Sequence, residues 1–109
     1  MSTVCSSGLA IEVCVDAGRV VVTANGEVDL GTAPLLRTVI CGLIDGGHRT
    51  VTLDLQDVSF MGAAGLGVIA EAAGLLRPDG ALTVRSASAF TVRLLKITGI
   101  DELVQLRDS

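Results

Sequence analysis

Residues 54–69 read Asp54-Leu55-Gln56-Asp57-Val58-Ser59-Phe60-Met61-Gly62-Ala63-Ala64-Gly65-Leu66-Gly67-Val68-Ile69, and the hydrophobic period changes within them. Leading into this stretch, Val51, Leu53 and Leu55 alternate with Thr50, Thr52 and Asp54. That is the two-residue period of a strand with one apolar face. A linking loop is expected over Gln56 to Gly62, then a helix over Ala63 to Leu76, ended by Arg77-Pro78-Asp79-Gly80. Leu66, Ile69, Ala73 and Leu76 are expected to face the sheet, and Glu71 is the helix's one polar side chain. Val68, Ala72 and Leu75 are then apolar without need of the sheet. A helix apolar nearly all round is covered by something, either neighbouring helices or a protein partner at its N-terminal end.

A strand leading into a helix is the unit of an α/β fold, and the flanking sequence repeats it. Upstream, Leu9, Ile11, Val13 and Val15 alternate with Ala10, Glu12 and Cys14. Asp16-Ala17-Gly18 then turns the chain into a second strand from Arg19 to about Asn25. The short link favours an antiparallel hairpin. After the loop Gly26 to Gly31, Thr32 is placed to cap a helix, and Pro34 sits in its first turn, where a missing N–H costs little. Leu36, Val39, Ile40, Leu43 and Ile44 form its buried stripe, and Asp45-Gly46-Gly47 stops it.

Downstream, Ala81 to Arg85 is a strand with Leu82 and Val84 inward. A third helix, Ser88 to Thr98, is expected to be capped by Ser88 or Ser86, to turn Phe90, Leu94 and Ile97 inward, and to end on Gly99 as a left-handed cap. Leu103 to Leu106 offers a last short strand. The expectation is one α/β domain over residues 1–109, with 1–8 a flexible tail. It has a single mixed β-sheet of four to five strands and about three helices packed mainly on one face.

Composition narrows the function classes. The chain has 109 residues, half of them hydrophobic, with two Phe and no Trp or Tyr. No aromatic platform for stacking bases can be built from that. The net charge is −4 and the eight basic residues are scattered, so nucleic acid and anionic membranes are not expected partners. No apolar run spans a membrane, and Met1 to Gly8 lacks a signal peptide's pattern, so a cytoplasmic location is expected. His48 has no partner in sight, and Cys5, Cys14 and Cys41 show no metal-ligand spacing. No metal or cofactor is expected.

Three segments together resemble the STAS domain family, in particular the bacterial anti-sigma factor antagonists. Gly26-Glu27-Val28-Asp29-Leu30-Gly31-Thr32-Ala33 is similar to the G-E-[LV]-D-x-x-T-A segment before the family's first helix. Residues 54–69 are similar to its signature, [DN]-L-x-x-[VL]-x-F-[MI]-D-S-S-G-L-G-V-[IL], and this is the specific match. Leu94 to Ile100 is similar to a late R-L-[LF]-x-[ML]-[ST]-G-[LI] pattern.

The resemblance implies a protein that binds an anti-sigma factor, often a GHKL-type serine kinase, and so releases a sigma factor for transcription. In the family the kinase phosphorylates the first Ser of D-S-S-G-L, which ends binding, and a phosphatase reverses it. The location has a physical reason. Free N–H groups and the dipole at a helix N-terminus favour an anion, and nearly two added charges are costly to desolvate in an interface. Here Gly62, Ala63 and Ala64 replace D-S-S. Ala63 stands at the phosphoacceptor position and has no hydroxyl. The resemblance implies partner contacts at Glu27, Asp29, Gly62, Ala63, Ala64, Gly65 and Leu66, with the serine switch lost.

Other features carry less. Ser59 is read as a structural hydroxyl alternating with inward Val58 and Phe60. Asp54 and Asp57 lack the base, nucleophile or phosphate loop that would make an enzyme. Reduced, structural thiols are expected of the three cysteines; redox control is the lesser reading and would need Cys14 and Cys41 with Cα atoms within about 7 Å. A C-terminal helix usual in the family is not seen after Arg107, which leaves an apolar area for a homodimer. Two further readings stay open. One is the STAS subunit of a lipid-transport ABC complex, whose motif often reads T-A-G-L. The other is a stand-alone structural or ligand-binding STAS domain.

Overall fold

Three strand–helix–strand units in succession build the protein, whose computed structural model describes residues 2–108. In chain order the elements are β1 (Ser2–Ser6), β2 (Leu9–Asp16), β3 (Arg19–Val28), α1 (Ala33–Asp45), β4 (Thr50–Met61), α2 (Ala63–Leu76), β5 (Ala81–Arg85), α3 (Ala89–Thr98), a 3-10 turn (Ile100–Glu102) and β6 (Gln105–Arg107). They form one mixed sheet in the order β1-β2-β3-β4-β5-β6. The pairs β1–β2 and β2–β3 are antiparallel; β3–β4, β4–β5 and β5–β6 are parallel. Each parallel crossover steps to the next strand in the same direction. The right-handed rule then sets all three helices on one face.

The core lies between that face and the helices. Ile11, Val20, Val22, Leu53, Leu82 and Val84 meet Leu36, Ile40, Ile69, Leu76 and Leu95, all buried. The α1 stripe matches its helical spacing at Leu36, Ile40 and Ile44. In α2, Val68 and Ala72 are buried as well, because α1 packs alongside. Leu75 is half exposed.

Several expectations are corrected. The sheet has six strands rather than four to five. Ser2–Ser6, expected within a flexible tail, pairs antiparallel with β2, Val4 opposite Ile11 and Cys5 opposite Ala10. A hairpin edge leaves N–H and C=O groups unpaired, and this segment satisfies them. β4 continues through Met61 instead of ending at Leu55. Its second half has no clean alternation, because register shifts between Thr23 and Asn25 and between Gly26 and Glu27 break the pleat against β3. Phe60 consequently turns outward and is 50% exposed.

In α3 the buried side chains are Thr91 and Leu95, while Phe90 and Ile97 are 62% and 74% exposed. This helix packs chiefly on the 3-10 turn, and the strands it connects, β5 and β6, have only five and three residues, too little sheet to cover a broad stripe. Its ends follow expectation: Ser88 Oγ accepts from Thr91 N at 3.1 Å, and Gly99 is left-handed at φ 79°.

On the uncovered face, Asp54 is 9% exposed and accepts from Arg85 Nη2 at 2.8 Å and from Gln56 N at 2.9 Å. Arg85→Ala leaves this carboxylate nearly buried with one donor. Urea unfolding should show a loss of about 1–3 kcal/mol, part of which Asp54→Asn in the same chain restores.

Candidate functional site

The parallel pairing of β3 and β4 sets Glu27 opposite Phe60 and Val28 opposite Met61. The loop after β3 and the start of α2 therefore adjoin, and Gly62 N donates to Val28 O at 2.9 Å. Two segments about thirty-five residues apart become one surface.

Asp29 shapes the first segment. Its Oδ1 accepts from Gly31 N at 2.9 Å and from Thr32 N at 3.0 Å. Thr32 Oγ1 accepts from Asp29 N at 2.9 Å and donates to Glu27 O at 2.7 Å. Thr32 is thus buried as a loop clamp and makes no side-chain cap for α1, contrary to expectation. The turn leaves Glu27 exposed and Asp29 half-buried, with Oδ2 unbonded among the described residues. It also lifts Leu30 to 85% exposure.

Gly62 caps α2 in an extended conformation and offers no side-chain hydrogen bond. The first-turn N–H groups lack intrahelical partners, and no acidic residue stands in that turn. Ala63 is exposed and Ala64 half-buried. Gly65 and Leu66, expected at the contact surface, are buried and support it from beneath. A Cβ on Gly65 would press on Met61 Sδ and lie 2.6 Å from Val28 Cγ1. Glycine at this position lets α2 seat closely on β3 and β4.

Apolar surface flanks the helix start on both sides. A cavity of about 190 Å³ lies between Leu30, Ala33, Pro34, Ala64 and Val68. Another of about 240 Å³ lies between Phe60, Met61, Ser88 and Phe90. Leu30, Phe60 and Phe90 were not identified from sequence as surface residues. A lone Leu between Asp29 and Gly31 in a turn was the available signal for the first. Periodicity pointed the two Phe the wrong way. Ser59 Oγ donates to Gly26 O at 3.3 Å, so the hydroxyl nearest in sequence before Ala63 has a structural partner.

Arg37 and Glu71 tie α1 to α2 by a bidentate pair at 2.7 and 2.8 Å. The Arg37 hydrogen bond holds the Glu71 carboxyl below its ordinary range, and Glu71 raises Arg37 in turn. Burial, with Glu71 adding to it, pushes the Cys41 thiol up, which disfavours the reactive thiolate. Cys14 is exposed beside Glu12 and Ala10 on the uncovered face, whereas Cys41 belongs to α1 on the other. The sheet separates them, so these two thiols do not pair within one molecule, in keeping with the expected reduced cysteines. Cys5, Cys14 and Cys41 are all free thiols.

Among the described residues, no group of three His, Cys, Asp or Glu is placed to hold a metal ion. No helix among them is long and apolar enough to cross a membrane.

A family model described as the STAS domain matches residues 10–109. The chain is 31% identical over 86 residues to the anti-sigma-B factor antagonist of Bacillus subtilis, covering 78% of each chain. It is 31% identical over 88 residues to that of Staphylococcus aureus, covering 80% of this chain and 82% of the relative. An anti-sigma factor antagonist from Mycobacterium paratuberculosis superposes with a TM-score of 0.87 at 27% identity, over 96% of this chain and 90% of that one.

Proposed function

This chain belongs to the STAS domain family, among the anti-sigma factor antagonists, and we propose that it binds an anti-sigma factor and so releases a sigma factor without a serine switch at α2. The observation that carries the reading is the start of α2 itself. Exposed Ala63 lies in the chain between Gly62, which abuts the Phe60 ring, and Ala64, which lines a cavity with exposed Leu30. An alanine amid exposed apolar side chains is suited to lie in an interface. Glu27 and the unbonded oxygen of Asp29 supply a negative rim for a basic residue of the partner.

In this reading the protein acts by binding, in the cytoplasm, and has no catalytic role. The surface is held ready by the Asp29–Thr32 clamp and by the close seat of Gly65. Control at the level of the serine is absent because Ala63 cannot accept phosphate. A GHKL-type kinase is the fitting form of anti-sigma factor. Leu103 and Leu106, both over a third exposed, offer an apolar area for a second copy of the chain.

Reinstating the hydroxyl tests this directly. Incubated with the cognate anti-sigma kinase and ATP, the wild-type chain should carry no phosphate at residues 62–66, whereas Ala63→Ser should gain one there. Phosphate incorporated elsewhere on the wild-type chain, together with loss of binding, removes the claim of a missing switch. An Ala63→Ser protein that binds the kinase and stays unmodified removes the equivalence of this position.

A further inference from the structure

The face of the sheet that no helix covers carries a polar concavity at the end away from the start of α2. In register, Thr52 lies beside Thr83 and Thr83 beside Gln105. With Thr50, Arg19 and Arg107 they line a cavity of about 380 Å³. That is within the range of small-molecule sites, roughly 300–1,000 Å³. We propose that this cavity binds a small elongated anion with a phosphate near each end, of the class of a bisphosphorylated sugar.

Charge is the first ground. The chain carries a net charge of −4, yet no carboxylate lines this cavity and two guanidinium groups do. Arg37 and Arg85 are paired with carboxylates, and Arg49 and Arg77 donate to carbonyl oxygens. Arg19, Arg93 and Arg107 make no such side-chain bond among the described residues; Arg93 stands on α3, away from this face, and the other two line the cavity. A free guanidinium fork matches phosphate oxygens bidentately.

Shape and hydrogen bonding are the second. Arg19 belongs to β3, level with Thr50, and Arg107 to β6, level with Arg85 and Asp54. Their backbones are three strand spacings and about four residues apart, roughly 19 Å on the diagonal, a gap that two long side chains reaching inward narrow. Two anionic groups set apart suit them better than one. The floor between them is hydroxyl and amide. Thr83 Oγ1 donates to Gln105 Oε1 at 3.4 Å, which leaves the Gln105 amide hydrogens for a ligand oxygen. No aromatic residue lines the cavity, so a base has nothing to stack on, and a polyol fits the floor. The site is on the other face and at the other end from the start of α2, so it stands or falls apart from partner binding.

Titration of the full chain with fructose 1,6-bisphosphate, followed by amide nuclear magnetic resonance, tests it. Saturable shifts are expected at Thr52, Thr83 and Gln105, and none with fructose. Arg19→Ala and Arg107→Ala, both at exposed positions, should each weaken binding about 10-fold. Inorganic phosphate should also bind at least about 10-fold more weakly than the bisphosphate. No saturable binding below about 10 mM overturns the site. So do shifts confined to residues 62–66, or an affinity that neither substitution changes. Equal affinity for inorganic phosphate overturns the elongated ligand.

Discussion

Ala63→Glu is expected to weaken binding of the anti-sigma factor on the order of 100-fold, about 3 kcal/mol, while leaving the fold intact. The two effects of this substitution have opposite signs. A carboxylate in the first turn of α2 faces N–H groups without intrahelical partners and the positive end of the helix dipole, which stabilises the helix by about 0.3–1 kcal/mol. Ala63 is exposed, so the new side chain displaces nothing. In a complex the same carboxylate is pressed among Leu30, Phe60 and Phe90 and must shed its water. Thermal melting should therefore show an equal or slightly raised Tm, with affinity by calorimetry sharply reduced. Ala63→Ser adds a neutral hydroxyl and should change affinity by less than about 10-fold before any phosphorylation.

Gly65→Ala is expected to destabilise the fold by about 1–3 kcal/mol, lowering Tm by roughly 5–15 °C. The added methyl would press on Met61 Sδ and lie 2.6 Å from Val28 Cγ1. Met61 is flexible, but Val28 is β-branched and fully buried, so it has few rotamers to yield into. α2 must then move away from β3, and the contact surface opens with it. Gly67, two residues on, has nothing within 4 Å of a Cβ. Gly67→Ala should stabilise by up to about 1 kcal/mol through helix propensity and a stiffer unfolded chain. Opposite signs from the same substitution within one turn would show that close packing, not helix propensity, sets the requirement at Gly65.

Much of this arrangement was legible in the sequence wherever one face of an element is buried. The helix expected over Ala63 to Leu76 has those bounds, because flanking turn signals mark both its ends. Legibility failed where tertiary context decides. Residues 56–60 extend a strand without alternation, since bulges rather than pleat govern their pairing with β3. Phe90 and Ile97 follow helical spacing, yet α3 spans too little sheet to bury them. Ser2–Ser6 is a strand because β2 has an edge to satisfy, and no pattern in five small residues announces that.

The site was legible as a motif and a departure from it. Ala63 could be placed because Gly62-Ala63-Ala64 interrupts an otherwise matching stretch. The surface around it could not be placed. Leu30 is exposed by a turn that Asp29 and Thr32 build through hydrogen bonds spanning several residues. Gly65 and Leu66 share the motif but point into the core. A sequence match marks a candidate region without separating the residues that lie on its surface from those that hold them in position.

The most direct measurement is affinity capture from the native cell with wild-type chain and Ala63→Glu side by side, bound proteins being identified and quantified by mass spectrometry. The result expected is an anti-sigma factor retained by the wild type, depleted on Ala63→Glu, and displaced from its sigma factor when purified wild-type chain is added. Retention of the same anti-sigma factor by both proteins, or capture instead of a transporter ATPase, would contradict it.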